Sequence, residues 1–104
     1  MSTKSRFAQA INAGLTLLYW QVGNRIRREM LQERRAAYGK RIVTTLSSQL
    51  VPEFGEGFGT RNLNRMVSFV GAFPDIKIAT TLSSQLSWSH FVAILSIDDV
   101  IRRT

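Results

Sequence analysis

The chain has no cysteine, two prolines and a single histidine. Without thiolates there is no disulfide framework, and one imidazole cannot supply the ligands of a protein-only transition-metal site. The missing cysteine also fits a reducing compartment. No apolar run approaches the roughly 18 residues of a membrane span. The stretch Phe7 to Trp20 follows Lys4 and Arg6, but Gln9, Asn12 and Thr16 interrupt it and no small-residue cleavage site follows, so it does not read as a signal peptide. Acids are scarce: seven Asp and Glu face fourteen Lys and Arg, a net charge of +7 over 104 residues. These deficits predict a cytoplasmic protein with no membrane segment, no metal and no cofactor. Hydrophobic and charged fractions of 44% and 20% are those of a globular chain, and the length predicts one domain over residues 1–104.

What is present is helical pattern. The heptapeptide Thr-Thr-Leu-Ser-Ser-Gln-Leu occurs twice, at Thr44 to Leu50 and at Thr80 to Leu86. Each copy extends an apolar ladder, Ile42, Leu46, Leu50 and then Ile78, Leu82, Leu86, whose four-residue steps fall on one helix stripe with Thr, Ser and Gln elsewhere. An uncharged polar face can lie against another helix or nucleic acid without burying charge. Two copies are too few for a solenoid, so they read as similar helices in similar packing roles.

The longest signal precedes them. Phe7, Ile11, Leu15, Leu18, Val22, Ile26 and Met30 make one continuous stripe, predicting a first helix of some 25–30 residues. Leu17, Trp20 and Leu31 lie roughly opposite, so this helix is apolar on two sides and must be sandwiched within the domain or against a second copy. Gly14 and Gly23 each weaken it by roughly 1 kcal/mol relative to Ala, which points to close helix contact there. Gly39 predicts a break, Lys40 to Leu50 a second helix and Pro52 its stop, followed by a glycine-rich loop to Gly59. Thr60 reads as the N-cap of a third helix, Arg61 to Phe73. Pro74 and Asp75 open a fourth, Ser87 caps a fifth from Trp88 to Leu95, and Ser96 starts a last one. No strand pattern occurs. The expectation is an all-α domain of about five helices, with a helix-turn-helix-like arrangement possible despite a connection longer than the usual three to four residues.

Chemistry is sparse. His90 has Ser87 and Ser89 beside it, but no orienting acid or oxyanion site accompanies them, so it reads as a packing or capping residue. Asp98 and Asp99 point in different directions on a helix. The loop Gly55 to Gly59 lacks the features of a nucleotide loop; a phosphate docked at Thr60 and Arg61 and a plain turn both fit it. No catalytic residue is expected.

The cations are organised. Seven of the fourteen lie between Arg25 and Arg41, with Glu29 and Glu33 the acids among them. Clustered positive charge attracts polyanions, nucleic acid being the commonest; an acidic protein surface or a solvated helix face are the alternatives. The third helix carries Arg61, Asn62, Asn64 and Arg65 in its first turns, and Arg and Asn are side chains that read base edges. The expected contact set is these four with Thr60, and Lys40, Arg41, Arg25, Arg28 and Arg35 on phosphates.

The ordered motifs Leu17-Leu-Tyr-Trp-Gln-Val-Gly23, Tyr38-Gly-Lys-Arg-Ile-Val43, Gly57-Phe-Gly-Thr-Arg-Asn-Leu63 with Met66 and Phe69, Phe73-Pro-Asp75 and Leu86-Ser-Trp-Ser-His90 resemble the N-terminal domain of YhcG-type bacterial proteins over nearly the whole chain. Full-length members of that family join this helical domain to a PD-(D/E)XK nuclease domain. The resemblance implies a nucleic-acid-associated role, DNA binding or assembly of the nuclease, with a nuclease domain or a second copy meeting the first helix as possible partners. Gly59 stands where the family usually has Ser. No carboxylate-and-lysine nuclease core is present, so no catalytic residue carries over, and the expectation is a non-catalytic isolated domain or truncated product.

Overall fold

The computed structural model of the chain describes residues 3–33 and 36–103. They form five α-helices, α1 Thr3–Glu33, α2 Ala36–Phe54, α3 Thr60–Ala72, α4 Ile76–Ser83 and α5 Trp88–Arg103, with a short 3-10 turn at Glu56–Phe58. There is no strand among the described residues. The all-α class read from periodicity is what the chain adopts.

Gly23 decides how α1 meets the rest. A Cβ at this position would collide with the Met66 carbonyl oxygen and stand 2.5 Å from the Met66 carbonyl carbon, so the α3 backbone lies directly on α1. Among the α1 residues whose burial is described, Thr16, Tyr19, Trp20, Gly23 and Ile26 are the buried ones. The expected stripe is therefore buried only toward its C-terminal end. Phe7, Ile11, Leu15 and Leu18 are exposed, because the close approach at Gly23 turns the Thr16–Tyr19–Trp20 side inward instead. Fully buried Thr16 satisfies its hydroxyl on the Asn12 carbonyl at 2.8 Å.

Two apolar clusters share this seam. Tyr19, Ile26, Val43, Leu63 and Met66 form one, and Trp20, Phe69, Val70, Ala79 and Phe91 the other; Trp88 packs against both. The helices that carry the repeat enter different clusters, the first through Val43 and the second through Ala79, each the residue just before its copy. Their buried positions correspond: Val43 and Ser47 in one, Ala79 and Ser83 in the other. This face lies about 100° round the helix from the predicted Ile42 and Ile78 ladders. Leu46, Leu50, Leu82 and Leu86 flank it half-buried, while Ile78 is exposed. The hydroxyls of both copies bond their own helix carbonyls in matching fashion, Thr44 to Lys40 and Thr80 to Ile76, Ser48 to Thr45 and Ser84 to Thr81.

Three boundaries differ from the sequence reading. Gly39 lies buried inside α2 against the Met30 side chain, not at a break. Pro52 is inside α2, in its last turn, where the missing N–H removes a single i→i−4 bond and the chain runs on to Phe54. Ser96 does not start a helix; its hydroxyl bonds the Val92 carbonyl within an unbroken α5. Other signals hold. The Asp75 carboxylate caps α4 by accepting from the Lys77 amide at 2.9 Å, and Gly55 takes a φ of 92° that favours glycine. Ser87 directly precedes α5, and its amide donates to His90 Nδ1 at 3.1 Å, with the Ser87 hydroxyl 2.9 Å from the same nitrogen. His90 thus takes the reciprocal position of a capping box.

Candidate nucleic-acid interface

The exposed side of α3 is polar because its apolar residues, Leu63, Met66, Phe69 and Val70, are all turned onto α1 and the core. What faces outward borders two grooves. One, of about 450 Å³, runs between α2 and α3 and is bordered by Lys40, Thr44, Thr60 and Asn64, with Met30, Gly39 and Val43 at its base. The other, of about 310 Å³, lies between α3 and α5 and is bordered by Arg61, Asn64, Arg65, Ser68, Leu95 and Ser96. Asn64 stands on the ridge between them. Lys40, Thr60, Arg61, Asn64 and Arg65 therefore form one continuous surface. Leu95 and Ser96 had no sequence signal, since only the tertiary approach of α5 brings them to α3.

The remaining expected contacts lie elsewhere. Arg41 lines a different, apolar groove on the other flank of α2 with Tyr38, Ile42, Thr45 and Leu46. Arg25 and Arg28 are exposed on the side of α1 turned away from Gly23, and hence from α3. Arg25 is also paired with Glu29 at 3.3 Å. Arg35 lies outside the described residues, and Asp98 and Asp99 lie outside those whose side chains are described. Among the described residues Arg25–Glu29 is the one ion pair, which leaves Lys40, Arg61 and Arg65 without an acidic partner.

Asn62 has an internal task. Its Nδ2 donates to the Gly57 carbonyl at 2.7 Å and its Oδ1 accepts from Trp88 Nε1 at 3.0 Å. The two contacts fix the amide orientation, because an indole can only donate and a carbonyl can only accept. The side chain braces the α2–α3 loop and the start of α5 onto α3 and does not join the groove-facing set. Thr60 also differs from its reading. It is the first residue of α3, the N-cap is extended Gly59, and no side chain caps this end. Glu56 reaches toward Gly59, with its Oε2 3.6 Å from where a Cβ would be.

The DUF1016 N-terminal domain family matches residues 1–104 of the chain. The chain belongs to this family. Putative nuclease YhcG of Escherichia coli (strain K12) is 33% identical over 87 residues, covering 83% of this chain and 23% of that protein. The chain thus spans under a quarter of that relative's length. No solved structure matches. The resemblance to the N-terminal domain of YhcG-type proteins, drawn from motifs between Leu17 and His90, is thereby borne out. Within this family domain those motif residues are mostly architectural. Tyr19, Phe58 and Trp88 stack edge to face, with centroids 5.9 Å and 4.9 Å from Tyr19. Burial raises the Tyr19 phenol above its ordinary pKa by disfavouring the phenolate. Among the described residues no three His, Cys, Asp or Glu side chains come together. No described helix is long and apolar enough to cross a membrane.

Proposed function

We propose that this domain is a non-catalytic nucleic-acid-binding unit, with duplex DNA as the favoured ligand, serving a nuclease of the kind its relative is named for. The observation that carries the reading is the α3 surface, where Arg61, Asn64 and Arg65 project beside Lys40, with no acid paired to these cations among the described side chains. Arg and Asn can pair with base edges in a major groove, and Thr44, Ser68 and Ser96 are of the type that contacts phosphates. The unit α2–turn–α3 would act in helix-turn-helix fashion, α3 entering the groove and α2 lying across the backbone. The contact set is thus narrower than charge alone suggested.

Fluorescence anisotropy on mixed-sequence duplex and single-stranded oligonucleotides, titrated with salt, tests it. Phosphate contacts by Lys40, Arg61 and Arg65 predict a log–log salt slope of about −2.7 for duplex, falling to about −0.9 in the Arg61→Ala, Arg65→Ala double variant with an unchanged helical spectrum. Absence of binding at low salt, or a double variant that binds as tightly as the parent, refutes the reading.

A further inference from the structure

A self-contained monomer of 11.8 kDa exposes about 5,900 Å². This chain exposes 7418 Å², so about 1,500 Å² is in excess, and a stable dimer covers about 800 Å² per partner. The N-terminal half of α1 carries one of the exposed apolar stretches. There Phe7 is 69% exposed, Ile11 55% and Leu18 44%. Their spacing, with Gly14 between Ile11 and Leu18, alternates four, three and four residues, the seam that pairs one helix with another. Gly14 sharpens the point. Gly23 exists because the α3 backbone occupies the space of its side chain, whereas a Cβ at Gly14 would meet nothing within 4 Å. A glycine in mid-helix is destabilising, and at Gly14 the chain itself offers no compensating contact.

We infer that the Phe7–Ile11–Gly14–Leu18 seam of α1 binds a second copy of this chain, the two helices crossing antiparallel about Gly14. A two-fold crossing places one glycine opposite the other, which lets the backbones approach and brings Ile11 and Leu18 of each copy together on either side. Helix dipoles favour the antiparallel sense, which sets the amino end of each α1 toward the carboxyl end of the other. The crossing also holds the two Arg25 side chains about 33 Å apart. The pairing does not depend on whether α3 binds nucleic acid.

Sedimentation equilibrium on the full chain tests it, with Leu18→Glu and Gly14→Ala as variants. The parent dimerises in a concentration-dependent way. Leu18→Glu is monomeric at all concentrations, and Gly14→Ala dimerises at least tenfold more weakly while its own helical melting temperature rises. The absence of native cysteine allows one nitroxide to be placed through Gln21→Cys. Dipolar spectroscopy should then read about 23 Å between labels, against about 10 Å for a parallel pair. A concentration-independent monomer overturns the inference and leaves the seam to a different partner. A dimer that both variants leave intact also overturns it, as does a short label distance.

Discussion

Replacing Asn62 with alanine separates a brace from a reader. The side chain joins three segments, with Nδ2 on the Gly57 carbonyl at 2.7 Å and Oδ1 on Trp88 Nε1 at 3.0 Å. Each neutral bond contributes about 1 kcal/mol, and stranding a partly buried indole donor adds to the loss, so the variant should be about 2 kcal/mol less stable. For a domain of this size that is a fall in Tm of about 10 °C. Asn62→Asp should do no better. A carboxylate still accepts from Trp88, but its second oxygen would face the Gly57 carbonyl with nothing to donate. Thermal denaturation by circular dichroism gives the stability, and duplex anisotropy below the transition gives the affinity. The expected pattern is lost stability with retained binding. A variant that melts like the parent but no longer binds DNA would place Asn62 in the groove and refute the argument.

Gly23→Ala should be destabilising by about 2 kcal/mol, because its Cβ meets the rigid Met66 backbone and the overpacking exceeds the roughly 1 kcal/mol gained in helix propensity; a Tm equal to the parent's would show that α1 and α3 are not so close. Tyr19 predicts alkaline sensitivity. Its raised folded pKa means that the native state holds a proton the unfolded chain releases, so this stability is fully present below about pH 10 and is lost as pH rises through the higher folded value. Denaturant midpoints of the parent should fall as pH rises above about 10 more steeply than those of Tyr19→Phe; parallel curves would contradict the assigned burial.

How much of this was legible in the chain depends on the range of each interaction. Helix positions, the Asp75 cap, the Ser87–His90 cap and the turn at Gly55 rest on residues within a few positions of one another, and periodicity or residue type reports them directly. Residues of the family motifs gather in space, Tyr19, Phe58, Trp88 and Asn62 making one braced cluster. The polar side of α3 was legible too, once its apolar positions were assigned inward. Its partners across the grooves were not, because Lys40 and Ser96 reach α3 only through the packing of α2 and α5.

By itself the sequence determined an all-helical chain, a first helix with two apolar sides, two like helices from the repeat, and a cationic excess. Only the tertiary structure chose between competing faces. Periodicity marks stripes but does not rank them, and the ranking came from steric fit: the backbone contact at Gly23 turned Thr16, Tyr19 and Trp20 inward and left Phe7, Ile11 and Leu18 bare. The same choice set Val43 and Ala79, not Ile42 and Ile78, into the core, and parted Lys40 from its neighbour Arg41. Adjacent residues on a helix diverge by about 100°, so one rotation of a helix against its neighbour decides which charge reaches the groove.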